Sequence, residues 1–159
     1  MSKSLRIIQL NVRKRSEIHD SLMNDEEITD AAVIAIQEPQ ARRINDRLLT
    51  SPMAHHKWTK MVPSICREEG RWAIRSMLWI RKDLEAEQIP IASPDLTAAV
   101  LRLPERQILI VSVYVEGGNV QALAETCNML RTVITDVRRY AGHIVDVAIV
   151  SDFNRYDQL

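Results

Sequence analysis

Glycine is scarce in this sequence, four in 159 residues, and a single phenylalanine stands beside three tryptophans and three tyrosines. With six prolines and no biased stretch, nothing reads as collagen, a flexible linker or a proline-rich arm. Two cysteines, Cys66 and Cys127, are too few for a disulfide framework and form no C-x-x-C pair. They are expected to be reduced thiols in an intracellular protein, nuclear or cytoplasmic and not secreted. No apolar run approaches the roughly 18 residues of a membrane span, so no membrane partner is expected. The opening 14 residues are too broken by charge for a secretory signal. An excess of one charge is also missing, with 21 basic against 21 acidic residues. That excludes a protein whose main affinity is a uniformly basic face for nucleic acid. Local contacts stay open. Cations cluster at Arg13, Lys14 and Arg15, at Arg42, Arg43 and Arg47, and at Arg67, Arg71 and Arg75. Each cluster is either solvated surface or a set of phosphate contacts.

What is present is a globular balance, 46% apolar and 26% charged, of a length that suits one domain over residues 1–159. Residues 5–10 and 31–36 are short apolar runs rich in β-branched side chains, which suit strands covered on both faces. Between them Ser16 reads as a helix cap, with Ile18 and Leu22 on one helical face. Residues 42–50 are expected to form a short helix and residues 57–62 a strand. Residues 73–80, 98–103 and 107–115 read as strands, the last two joined as a hairpin across Pro104-Glu105-Arg106. The clearest helix runs over residues 119–140, with Asn119 as its cap and Gly142 as its stop. Its apolar stripe is Val120, Leu123, Cys127, Leu130, Ile134 and Val137, which places Cys127 in the interior. A last strand covers residues 145–150. The class is α/β, or α+β with mixed sheets.

Four apolar runs end in a polar residue: at Asn11, at Gln37-Glu38-Pro39, at Tyr114, and at Ser151-Asp152-Phe153-Asn154. Neighbouring strands bring such ends to one rim, where binding sites commonly lie. Glu38 and Asp152 are hard oxygen donors that suit Mg²⁺, an ion that takes one or two carboxylates and keeps waters and a substrate phosphate. Asn11, Asn154 and Tyr114 can donate hydrogen bonds to phosphate oxygens. The set points to metal-assisted phosphodiester hydrolysis. The competing reading is that strands simply have to stop somewhere, and polar residues stop them.

At these residues the chain resembles the endonuclease/exonuclease/phosphatase superfamily, whose fold is like that of deoxyribonuclease I. The matching pieces are the run from Leu5 to Lys14, Ile34-Ala35-Ile36-Gln37-Glu38-Pro39, Val111-Ser112-Val113-Tyr114-Val115, and Ser151-Asp152-Phe153-Asn154-Arg155. The first and last pieces look most like the endonuclease domain of fungal LINE-type (non-LTR) retrotransposons. The pieces occur in order over nearly the whole chain. The resemblance implies a DNase I-like sandwich, with Glu38 as the principal Mg²⁺ ligand (Mn²⁺ as the alternative ion) and Asn11 supporting the metal site. It implies that Tyr114 contacts the scissile phosphate, that Asp152 orients or deprotonates the attacking water, and that Asn154 holds the phosphate. Arg13 and Arg155 are weaker phosphate contacts. The partner would be DNA, nicked to leave a 3′ hydroxyl that primes reverse transcription.

Three departures stand out. Ser151 replaces the family's usual glycine, and Arg13 stands where an acidic or amide residue is common. The family continues past its Asp-Phe-Asn strand to a Ser-Asp-His type motif, whereas His19, His55, His56 and His143 all precede Asp152. On that pattern the chain is expected to lack its C-terminal part, to cleave DNA slowly or not at all, and to cover an open sheet edge by forming a homo-oligomer. The alternative function is a non-catalytic interaction module derived from such a domain, binding protein or nucleic acid.

Overall fold

The computed structural model describes residues 4–67 and 73–152. It opens with β1 (Ile7–Asn11), α1 (Ser16–Met23) and β2 (Val33–Gln37), a strand–helix–strand unit whose strands are parallel. Ser16 is the first helical residue and does not cap the helix; Arg15 holds the cap position and no side chain closes it. The helix ends at Met23. Asp25 accepts a hydrogen bond from the Glu27 N–H and starts a separate 3₁₀ turn over Glu26–Ile28, a local bond that competes with helix continuation.

The helix expected over residues 42–50 is instead a hairpin, β3 (Gln40–Ile44) and β4 (Arg47–Ser51). Asn45 and Asp46 make its two-residue turn with φ of 49° and 62°. Both tolerate the left-handed region, and two such residues in succession give the turn whose twist matches paired strands.

The rest follows as β5 (Trp58–Met61), β6 (Ser76–Arg81), β7 (Glu85–Ile89), β8 (Leu96–Arg102), β9 (Gln107–Val113), α2 (Val120–Ala141) and β10 (Asp146–Val150). Strand β7 has no counterpart among the sequence expectations. Its Glu85 and Glu87 are exposed, and Arg102 across the ladder pairs with both. One four-stranded sheet runs β1-β2-β6-β5 and another β10-β9-β8-β7. Each mixes one parallel pair with antiparallel ones.

Strand alternation explains the layering. Val33 and Ala35 of β2, Leu78 and Ile80 of β6, and Ile108 and Ile110 of β9 fill the space between the two sheets. Ile34 and Ile36 point the other way, into a cluster with Met23 and Leu22 of α1. Leu109, Val111 and Val113 meet Val133 and Val137 of α2. The layers are therefore helix, sheet, sheet, helix. Strands β1 and β10 are the edges on one side of the sandwich.

Helix α2 has the expected ends. The Asn119 side chain accepts from the Ala122 N–H, and Gly142 closes the helix with φ of 66°. Its stripe is shifted, however. Thr126 is buried there and Cys127 is exposed. The repeat 126, 130, 133, 137 follows the helical period with threonine in the inward place, and Cys127 falls one residue off it.

Candidate functional site

The core between the sheets turns polar at one end. Continuing the inward alternation, β2 offers Gln37 after Val33 and Ala35, β6 offers Ser76, β8 offers Thr97 and β9 offers Ser112, all buried. Buried amides and hydroxyls need partners, since each left unpaired costs about 1–3 kcal/mol. Gln37 Nε2 donates to Ser112 Oγ at 3.0 Å, and Ser76 Oγ donates to the Ser112 carbonyl at 2.7 Å. Gln9 Nε2 in turn donates to Gln37 Oε1. These bonds tie one sheet to the other directly beneath the rim where β1, β2 and β9 end.

At that rim Asn11 closes β1. Its Nδ2 donates to Asp152 Oδ2 at 2.9 Å, across 141 residues of chain. Its Oδ1 accepts the Arg13 N–H at 2.9 Å, so the amide is engaged at both ends. Arg13 (φ 49°) and Lys14 (φ 60°) turn the chain sharply, and the Lys14 N–H donates to the Glu38 carbonyl at 2.7 Å. The loop after β1 is thereby fastened to the residue that follows β2. The Arg13 side chain is exposed.

Glu38 has φ of 51°. A left-handed, non-glycine residue costs about 1–3 kcal/mol and persists only where surroundings hold it. Here its N–H donates to the Arg75 carbonyl at 2.9 Å, its carbonyl accepts from Lys14, and buried Pro39 fixes the exit. The side chain is half-buried at the rim.

Tyr114 follows β9. Its N–H donates to the Asp95 carbonyl at 2.9 Å, and the Arg75 guanidinium lies 4.5 Å from its ring centre. Burial pushes the phenol above its ordinary pKa, the nearby Glu38 carboxylate pushes further, and Arg75 pulls partly back. At neutral pH the phenol is therefore a protonated donor.

Arg75 belongs to none of the phosphate contacts that its sequence cluster suggested. It is 7% exposed and bound by Asp95, Nε at 2.8 Å and Nη2 at 2.7 Å. A guanidinium inside an apolar strand run must be paired, so it found a carboxylate in place of solvent. Asn154, Arg155 and Arg71 lie outside the described residues. The structure thus brings Asn11 against Asp152, and Glu38 beside Tyr114, on one rim. Sequence reasoning missed Gln37, Ser112, Arg75 and Asp95 as the parts that hold this rim together. The available signals were a charge interrupting residues 73–80 and polar residues inside apolar strand alternation.

Among the described residues no group of three His, Cys, Asp or Glu side chains converges as a metal cage. Mg²⁺ does not need one, and a rim with two carboxylate-bearing elements fits its use of waters and substrate oxygens.

No family model matches this sequence, and no curated protein sequence does. Solved structures match by fold. The endonuclease domain of TRAS1, a telomere-specific non-LTR retrotransposon, aligns with a TM-score of 0.64 at 15% identity, over 96% of this chain and 62% of that one. A humanised D. rerio TDP2 aligns at 0.58 with 17% identity, over 96% and 63%. Sphingomyelinase C from Streptomyces griseocarneus aligns at 0.60 with 12% identity, over 99% and 67%. This chain spans 62–63% of the length of the first two. At such identities the likeness shows the fold, which is the DNase I-like sandwich. One fold carries both an endonuclease and a sphingomyelinase, so it does not by itself select a substrate.

Proposed function

We propose that this chain, built on the DNase I-like fold, is a metal-dependent phosphodiesterase domain that nicks DNA. The observation that carries the reading is the Asn11–Asp152 hydrogen bond at 2.9 Å, which joins the ends of two strands from different sheets at the rim holding Glu38 and Tyr114. The likeness in fold to an endonuclease domain supports it.

In this reading Glu38, with Asp152 nearby, would hold Mg²⁺ or Mn²⁺. The ion supplies Lewis-acid polarisation of a phosphoryl oxygen when bound. Asn11 supports the metal site: its Nδ2 aims Asp152, and its Oδ1, which accepts from Arg13, has a second lone pair left for the ion. Asp152, acceptor-only when ionised, orients the attacking water and takes its proton. Tyr114, kept protonated by burial and by Glu38, donates to a non-bridging phosphate oxygen. By the resemblance, Asn154 would complete the phosphate contacts, with Arg13 and Arg155 as weaker ones.

The test is conversion of supercoiled plasmid to open circles in Mg²⁺, with Glu38→Gln and Asp152→Asn as comparisons. The expected loss is about 100-fold or more in each variant, as for removal of one member of a catalytic set. A second readout is thermal: Mg²⁺ should raise the melting temperature of the wild type and not of Glu38→Gln. Equal nicking by all three proteins, with no Mg²⁺-dependent stabilisation, would overturn the reading.

A further inference from the structure

The hairpin β3–β4 starts at Gln40, two residues after Glu38, and forms a ribbon of its own. Its two faces differ. The pairs Ala41↔Thr50 and Arg43↔Leu48 lie on the face that packs inward, with Ala41 at 1% and Thr50 at 3% exposure and Leu48 against the core. The pairs Arg42↔Leu49 and Ile44↔Arg47 lie on the other face. There Ile44 is 48% and Leu49 36% exposed, beside a shallow groove of about 250 Å³. Arg43 pairs with Asp46 at 2.8 Å, whereas the guanidiniums of Arg42 and Arg47 have no carboxylate partner among the described residues.

We infer that this outward face is a contact surface for duplex DNA, adjoining the candidate site. The choice of DNA rests on the phosphodiesterase reading above; the surface itself rests on the ribbon. A solvated face does not need two exposed aliphatic side chains, and a purely apolar docking face does not need two cations that lack a carboxylate partner among the described residues. A duplex uses both. Guanidiniums bind phosphates in a bidentate fork, and aliphatic side chains press on sugars and the apolar edges of bases in a groove. A two-stranded ribbon is a shape that a groove admits. Five extended residues span about 17 Å, the length of roughly five base pairs at ~3.4 Å each. DNA seated with one phosphate at the rim would therefore continue along the ribbon.

The experiment is binding of a fluorescent 20-base-pair duplex in EDTA, followed by anisotropy over a range of salt. Arg42→Gln/Arg47→Gln should bind at least tenfold more weakly at 0.1 M salt. Its log K against log salt should flatten by about 1.8, which is two phosphate contacts. Ile44→Ser/Leu49→Ser should weaken binding with the slope unchanged. Urea midpoints establish that both variants fold. Turnover of bis(p-nitrophenyl) phosphate in Mg²⁺ separates this inference from the one it rests on. Retained turnover with lost duplex binding in Arg42→Gln/Arg47→Gln supports both. No turnover by the wild type, with duplex binding still lost in the arginine variant, keeps the surface and removes the phosphodiesterase. Duplex binding that is absent in the wild type, or unchanged in Arg42→Gln/Arg47→Gln, overturns the surface. So does a wild-type dimer that Ile44→Ser/Leu49→Ser dissociates while duplex affinity stays the same, because a second copy would then be the occupant.

Discussion

Asp95 grips Arg75 with both carboxylate oxygens, at 2.8 and 2.7 Å, and each of the two residues holds one rim residue through its own backbone carbonyl. The Arg75 carbonyl takes the Glu38 N–H and the Asp95 carbonyl takes the Tyr114 N–H. One ion pair therefore fixes the spacing between a carboxylate that follows β2 and a phenol that follows β9. Arg67 approaches the same carboxylate more distantly, at 3.6 Å.

Breaking that pair from one side should be costly. Arg75→Met leaves the Asp95 carboxylate without its bidentate partner and removes the cation from the Tyr114 ring. The expected loss is about 3 kcal/mol, the low end for an unpartnered buried charge. Urea unfolding at neutral pH measures it. A loss below about 1 kcal/mol would mean that Arg67 or solvent takes over and the pair holds nothing.

The polar layer between the sheets makes a two-sided prediction. Gln37→Leu removes the donor to Ser112 Oγ and the acceptor for Gln9, so it should cost about 2 kcal/mol. Thr97 is in the same layer, paired in register with Ser112, but its Oγ1 is buried without a partner. Thr97→Val removes an unsatisfied hydroxyl at nearly constant shape and should stabilise by about 1 kcal/mol. Opposite signs from two neighbours in one layer, read by urea unfolding, are the check. Equal signs would mean that burial alone decides there.

The apolar runs made the fold legible where a strand is covered on both faces. Residues 31–36 are a continuous apolar run that suits a strand covered on both faces, residues 107–115 read as a strand, and Asn119 and Gly142 marked the ends of α2. Legibility failed where the hydrophobic pattern is mixed. In residues 40–51 Leu48, Leu49 and Ile44 fit a helical period nearly as well as a strand, and the two left-handed residues Asn45 and Asp46 decided the matter. The rim was legible as polar residues ending apolar runs, because those runs must stop where the sheet stops. What clamps it was not. Arg75 and Asp95 are 20 residues apart, and only the packing of β6 against β8 shows that they meet.

The two thiols should separate by rate. Cys127 is exposed on α2, one residue off its inward stripe. Cys66 is half-buried against the cluster under α1, and burial pushes its thiol above the ordinary value. The thiolate is the reactive species, so Cys66 has both less access and less of it. A chromogenic disulfide reagent at neutral pH should titrate one thiol at once and the second only slowly or on adding urea. Substituting Cys127→Ser should remove the fast phase. Loss of the slow phase in its place would put Cys127 in the interior after all.

His19 gives the molecule a defined response to acid. Its ring is fully buried between α1 and β6, and its Nε2 accepts the Trp79 indole N–H at 2.8 Å. Burial lowers its pKa from 6.5 to about 4, with the Ser51 backbone offsetting only part of that. An Nε2 that accepts from an indole cannot also carry a proton, so the folded protein resists protonation there. The unfolded chain takes up the proton first, at pH near 6.5. Stability is therefore whole above that pH and falls as the pH drops from about 6.5 toward about 4, by roughly 3 kcal/mol for this one group. His19→Gln lacks the titration. It should start less stable at pH 7.5, yet lose less on going to pH 4, and the carboxylates common to both proteins cancel in the comparison. Urea unfolding of the two proteins at both pH values gives the difference. If the variant loses as much as the wild type over that interval, the buried imidazole is not what makes the fold sensitive to acid.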